Sequence, residues 1–199
     1  MVGTPEKRDA NGDIDSDAML AVAKSTSGNI VIPGSFDGYT VVEIGREAFR
    51  NVEITGVTIP SGVTKIGNKA FYRSGIINAE ILGNVTWIDE EAFSRTKITS
   101  IPLPESLVRI GEQAFEQTLL TSITIPASVT NLGDMALGSS LKEVKCLATT
   151  PPVIDIPWEG ASGFDWELSE NGKLYVPAAS IDAYKAADGW KEFKSIIAL

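Results

Sequence analysis

Apolar side chains recur along this chain at a fixed step of 22 residues. The pair Ala-Phe occurs at Ala48-Phe49, Ala70-Phe71, Ala92-Phe93 and Ala114-Phe115, then as Ala136-Leu137. The same register carries Ile44, Ile66, Ile88, Ile110 and Leu132, each followed by Gly45, Gly67, Asp89, Gly111 or Gly133. Val41, Val63, Val85, Leu107 and Val129 form a further column, and so do Ile54, Ile76, Ile98 and Leu120. Next come Val57, Ala79, Ile101 and Ile123, then Ile59, Ile81, Leu103 and Ile125, closed by Pro60, Leu82, Pro104 and Pro126. A period of this length held across several columns is the signature of a stacked-repeat architecture.

Each part of the unit I-x-x-V-x-I-P-x-x-V-x-x-I-G-x-x-A-F has its own physical task. The alternation at Val57 and Ile59 predicts a short half-buried strand. The proline after it cannot donate to a ladder and ends the strand. Gly67 and its equivalents are expected to permit a tight backbone turn. The polar residues that follow, Asn68, Glu90, Glu112 and Asp134, suit the first turn of a short helix or helical loop. Ala then fits where coils crowd, and Phe fills the space between them. One unit offers only about seven apolar positions, too few to bury itself, so stability has to come from stacking coil on coil. The stacked strands predict one parallel sheet with the Ala-Phe segments opposite. At ~4.8 Å per coil, roughly five to six coils make an array on the order of 25 Å long.

The ends depart from the pattern. Residues 1–28 carry no repeat column; Ser16 ahead of Asp17-Ala18-Met19-Leu20 reads as a capped helix start, so this stretch is expected to be a tail or N-terminal cap. Repeats are expected over 29–150. They open on an irregular coil whose strand is 28–33 and whose extra length comes from a Gly38-Tyr39 turn. After Leu137 the register shortens by one, placing Leu141, Val144 and Cys146 where Leu120, Ile123 and Ile125 stood. From Thr149 to Asn171 the pattern dissolves around Pro151-Pro152, Trp158, Phe164 and Trp166. A strand returns at 173–176, and 178–187 reads as a helix ended by Asp188-Gly189, with Trp190 and Phe193 beyond it on an apolar face. Residues 151–199 are thus expected to be an irregular last coil and a C-terminal cap of the same domain, covering the open end of the core.

Composition narrows the function. The 199 residues carry a net charge of −9, with 26 acidic against 17 basic residues, a balance that repels phosphate backbones and anionic bilayers. Neither nucleic acid nor membrane insertion is expected, and no apolar run approaches the ~20 residues that span a bilayer. The segment from Met1 to Arg8 lacks the apolar core of a secretion signal, so export would require a leader absent from this stretch. Histidine is missing altogether, which removes the commonest general base, nucleophile activator and metal ligand. Asp9, Asn11, Asp13 and Asp15 alternate like a calcium loop, but Ile14 and Leu20 stand where glycine and glutamate belong. Cys146 is alone in an apolar column, so it reads as an inert core thiol without a disulfide. No catalytic, cofactor or metal residue is assigned, and the expectation is a protein that is not an enzyme.

The phrases VTIPSGVTKIGNKAF at 57–71 and ITIPASVTNLGDMAL at 123–137 resemble the BspA-like leucine-rich repeat family of bacteria. LYVPAASIDAYKAADGWKEF at 174–193 is similar to the closing segment often found there. The resemblance implies a leucine-rich-repeat solenoid, right-handed and curved, β-rich with short helical or loop segments, with its parallel sheet on the concave face. It also implies a secreted or cell-surface protein used in adhesion and protein binding.

On such a sheet the neighbours of Val57 and Ile59 face outward. The outward columns are Gly56, Asn78, Ser100 and Ser122, then Thr58, Glu80, Pro102 and Thr124, with Glu143 and Lys145 in the shortened coil. Asn78, Glu80, Ser100, Ser122, Thr124, Glu143 and Lys145 are therefore the candidate partner-binding residues on the face. The face is small and polar, and a plain solvated surface is the blander reading. Trp87 stands in a column otherwise filled by Lys65, Arg109 and Asn131, which points to an indole on the outer surface. Trp158 and Trp166 can stack on a sugar, anchor a protein or pack the last coil, packing being the favoured reading. The leading expectation is a recognition module for a protein, such as a host extracellular-matrix or surface protein. The alternatives are a glycan-binding module using exposed tryptophans and a structural spacer in a larger surface protein.

Overall fold

The computed structural model describes residues 26–36, 38–155 and 163–199. The candidate calcium loop, the helix start at Ser16 and Trp158 lie outside them. The described chain opens with strand β1 (Ser27–Val31) and a small antiparallel hairpin, β2 (Ser35–Phe36) and β3 (Tyr39–Thr40), the extra turn of the irregular first coil. The coils then alternate between two strand sites. β4 (Glu43–Ile44) is followed by β5 (Glu53–Ile59), β6 (Lys65–Ile66), β7 (Asn78–Ile81), β8 (Trp87–Ile88) and β9 (Arg109–Ile110). Next come β10 (Ser122–Ile125), β11 (Asn131–Gly133), β12 (Glu143–Cys146) and β13 (Val153–Asp155). The chain closes with helix α1 (Trp166–Asn171), β14 (Lys173–Val176), helix α2 (Ile181–Ala186) and β15 (Ile196–Ala198).

Where one sheet was expected, the stack builds two. The first holds the anticipated strands, in two blocks ordered β1-β5-β7 and β10-β12-β14-β15. The second runs unbroken as β4-β6-β8-β9-β11-β13, every pairing parallel. The shortened coil sits as the sequence predicts, with Ile123 opposite Val144 and Ile125 opposite Cys146.

The gap in the first sheet has a local cause. Leu82 N–H donates to the Ile59 carbonyl at 3.0 Å, and its counterpart one coil on is Pro104. Pro60 and Pro126 occupy that same position without splitting the sheet, so the distinguishing residue is Pro102, which removes a second donor two positions earlier. On that side the coil keeps a single parallel bridge, between Asn78 and Ser100.

On the remaining side of each coil one expectation is narrowed and one corrected. Asn68, Glu90, Glu112 and Asp134 open a loop and no helix. The chain there makes hydrogen-bonded turns joined coil to coil, with Phe49 N–H donating to Ala70 C=O, Phe71 to Ala92, Phe93 to Ala114 and Phe115 to Ala136 at 2.7–3.0 Å. These bonds satisfy backbone donors across coils that a helix would satisfy within one. The repeat glycine also has a different task from the one inferred. Positive φ falls on Glu47, Lys69, Glu91, Gln113 and Met135 instead. A Cβ on Gly111 would lie 2.5 Å from Glu90 N, and one on Gly133 2.2 Å from Glu112 N. Glycine is there because adjacent backbones touch.

The core lies between the two sheets and this turn face. Phe49, Phe71, Phe93 and Phe115 form a ladder with centroids 5.0, 5.1 and 5.6 Å apart and ring planes within 10°. The segment expected to be patternless contributes β13, which extends the second sheet past β11, and α1, capped where the Asp165 carboxylate accepts from Glu167 N–H. Phe164, Tyr184, Trp190 and Phe193 then cover the last coil in edge-to-face contacts at 4.9–5.2 Å. Trp190 Nε1 donates to Pro152 C=O and Tyr184 Oη to Ala148 C=O.

Candidate functional site

The first sheet presents its outward columns as the pleat requires. Asn78, Glu80, Ser100, Ser122, Thr124 and Lys145 are exposed and Glu143 is half-buried. The register continues Asn29, Gly56 and Asn78 in one column and Val31, Thr58 and Glu80 in the next. Glu143 pairs onward with Lys173, and Lys145 with Tyr175. Thr58 Oγ1 donates to Glu80 Oε2 at 3.2 Å, a bond from coil to coil along the column.

Relief on this face is slight and centres on the gap. A shallow groove of about 420 Å³ lies against Pro102, walled by Ser100, Leu103 and Glu105 on one coil and Ser122, Thr124 and Pro126 on the next. Its polar groups are hydroxyls and one carboxylate, a set that hydrogen-bonds extended peptide or solvent. A second depression, about 530 Å³, separates the shortened coil from α1 and gathers Lys142, Glu143, Glu167 and Lys173.

Trp87 lies on the other sheet, as the centre of a charged ladder. Its strand partners are Lys65 and Arg109. Lys65 Nζ lies 4.3 Å from the indole centroid and Arg109 Cζ 5.7 Å. Lys65 in turn meets Asp89 at 3.1 Å and Glu43 at 3.7 Å, and Arg109 meets Asp155 at 2.9 Å. Asp89 replaces the repeat glycine in this coil, and its carboxylate also accepts from Glu90 N–H. The indole is 37% exposed, with a cation from the coil on each side against its ring.

Trp166 corrects the packing expectation. It is 71% exposed at the first position of α1, and Leu168 is the apolar side chain that this helix buries. Cys146 is fully buried, and burial pushes its thiol up. Tyr184 Oη, 3.1 Å from Cys146 Sγ, is likewise pushed up, first by burial. Both groups remain neutral.

Cations on the turn face were passed over in reading the sequence, though Arg50, Arg73 and Arg95 stand in the columns just after the Ala-Phe pair. Their signal was the clustering of arginine and tyrosine across neighbouring repeats, which shows only when the repeats are aligned.

The comparisons with known proteins agree with this architecture. A family model described as BspA type leucine rich repeat region matches residues 24–142 in six copies. Among solved structures, the T. pallidum leucine rich repeat protein is 24% identical, with a TM-score of 0.58 over 82% of this chain and 83% of its own. A leucine-rich repeat protein from Bacteroides ovatus is 26% identical, with a TM-score of 0.55 over 84% of this chain and 45% of its own. The pneumococcal vaccine antigen PcpA is 20% identical, with a TM-score of 0.51 over 84% of this chain and 57% of its own. A search of curated proteins gave no match.

Proposed function

Because the chain belongs to the BspA-type leucine-rich repeat family, we propose that it is a non-enzymatic recognition module, displayed on the cell surface or secreted, that binds a protein partner through the outer face of its first sheet. The observation that carries this reading is the face itself. Asn78, Ser100 and Ser122 stand outward in one column and Glu80 and Thr124 in the next, with the groove at Pro102 between their coils. Small side chains let a partner approach the sheet closely, and each carries a hydrogen-bonding group. A surface role is supported by the likeness of fold to a pneumococcal vaccine antigen.

The test is a binding screen of the purified chain against extracellular-matrix proteins, run beside a Ser100→Arg/Ser122→Arg variant. Saturable binding that the variant loses while keeping its thermal transition supports the reading. Binding that survives the substitutions moves the site elsewhere. A glycan reading has one observation of its own, the exposed indole of Trp166. It predicts hits on a glycan array that disappear in Trp166→Ala.

A further inference from the structure

The turn face carries a cluster that belongs to neither sheet. Tyr72 follows Arg50 in one column, and the adjacent column runs Asn51, Arg73, Arg95 and Gln117. Three guanidiniums converge on the one ring: Arg73 Cζ lies 5.3 Å from the Tyr72 centroid, Arg50 Cζ 5.6 Å and Arg95 Cζ 6.0 Å. The ring attracts each cation, while the cations repel one another.

Among the described residues only Arg50 of the three meets a carboxylate. Arg50 Nη1 meets Glu47 Oε2 at 2.8 Å, a carboxylate that Arg46 also approaches at 3.8 Å. Lys69 on the same face is taken by Glu91 at 3.1 Å. Arg73 and Arg95 are exposed and have no carboxylate within ion-pair distance among the described residues. Two uncompensated guanidiniums thus stand on successive coils, held by a shared aromatic ring, in a chain of net charge −9.

We propose that Tyr72, Arg73 and Arg95 form a docking site for a short acidic segment of a protein partner. The inference rests on the recognition reading above and assigns it a second contact surface. Guanidinium forks pair with carboxylates in bidentate geometry, and arginine and tyrosine are the side chains concentrated at the energetic centres of protein interfaces. The surroundings limit the length of the anion. Glu90 shares the turn of Arg95, and Glu112 and Glu116 stand on the turn of the next coil, so a long polyanion that extends past Arg95 runs onto like charge, whereas a short acidic run ends before reaching it. This favours a peptide segment over a sulfated polysaccharide or a nucleic acid.

Fluorescence polarisation of a labelled peptide, a short run of Asp and Glu within a Gly-Ser frame, against the full chain tests the assignment. The expected result is saturable binding that weakens as salt is added and vanishes for the Asn/Gln version of the peptide. Arg73→Gln/Arg95→Gln is expected to raise Kd by roughly tenfold or more with an unchanged thermal transition, about 1.4 kcal/mol. Tyr72→Phe should keep the binding and Tyr72→Leu weaken it, because the ring positions the cations. Absence of saturable binding, equal affinity in the double arginine variant, or tighter binding of a heparin oligosaccharide or single-stranded oligonucleotide than of the peptide overturns the proposal. A partner from the matrix screen separates the two readings. If Ser100→Arg/Ser122→Arg abolishes its binding and the arginine variant leaves it unchanged, this site falls and the first-sheet reading stands.

Discussion

The two sheets are made by the same coils, yet one is split and the other is continuous. The first has the longer strands, up to seven residues in β5, and breaks where Pro102 and Pro104 withdraw two donors from one coil. The second has strands of two or three residues and runs through six of them without interruption. Continuity here depends on whether each coil supplies its N–H groups at the register position, and strand length does not protect against their loss. Side chains on the two faces differ accordingly. The first sheet shows mostly hydroxyls and amides, with Glu80, Glu143 and Lys145 among them. The second shows a ladder of charges around Trp87 in which both cations, Lys65 and Arg109, are paired with carboxylates.

The largest effect expected from breaking this comparison is in the core. Ile88→Ala beneath the continuous sheet should cost about 4 kcal/mol, and Ile101→Ala beneath the gap about 2, because a coil held by a single bridge can relax into the space left behind. Urea unfolding of the two variants measures both, and equal costs would show that the gap is as rigid as the rest. Glycines sharpen the contrast. Gly133→Ala in β11 drives a Cβ against the Glu112 backbone and should cost about 1–3 kcal/mol. Gly56→Ala in β5 meets the Asn29 side-chain amide, which can swing away, so thermal unfolding should register a change within about 0.5 kcal/mol.

A smaller effect depends on pH. Burial holds the Glu112 carboxyl above its ordinary 4.5, with Glu90 and Asp134 adding to the shift, and burial likewise raises Asp134 above 3.8. A raised folded pKa means that the folded chain keeps a proton the unfolded chain has released. That contribution to stability is fully present below about pH 4.5 and is lost as pH rises through the folded value. Glu112→Gln should therefore match the wild type in acid and melt at a higher temperature near neutral pH. A melting difference that does not change with pH would contradict the assignment. The smallest effect is at the split itself. Pro102→Thr restores a donor and should change stability by less than about 1 kcal/mol, since the gained bond is offset by a freer unfolded chain. Its new amide should nonetheless be protected from hydrogen exchange; an unprotected amide would mean that the gap has another origin.

Much of the architecture was legible because each coil repeats its neighbour. The columns through Ile44, Val57 and Phe49 predicted which side chains are buried, and the shortened step after Leu137 predicted the pairing of Ile123 with Val144. The strand at Lys173–Val176 and a cap built on Trp190 and Phe193 were also readable from local signals. The second sheet was not. Two residues such as Lys65 and Ile66 are too few to display an alternation, so their pairing shows only in the stack. Val153–Asp155 follows two prolines and gave no sign of extending a sheet that had not been foreseen. On the candidate surface, the outward face of the first sheet followed from alternation alone. The column that sets Lys65 and Arg109 beside Trp87 was legible as well. Their seating on the indole ring, the exposure of Trp166 and the cations around Tyr72 were not.

By itself the sequence determined the period, the buried columns, the first sheet with its outward residues and the family. A translation of 22 residues that superimposes apolar side chains admits one economical solution, in which identical positions stack. Only the tertiary structure decided that a second sheet runs beside the first and that, of a short helix or a helical loop, each coil builds turns joined to the next coil. It also decided that glycine serves the contact between backbones and that Arg50, Arg73 and Arg95 share the ring of Tyr72. These features arise from groups about 22 residues apart that meet across coils. Their geometry depends on the rotation of each coil against the next, and no local segment of the chain encodes it.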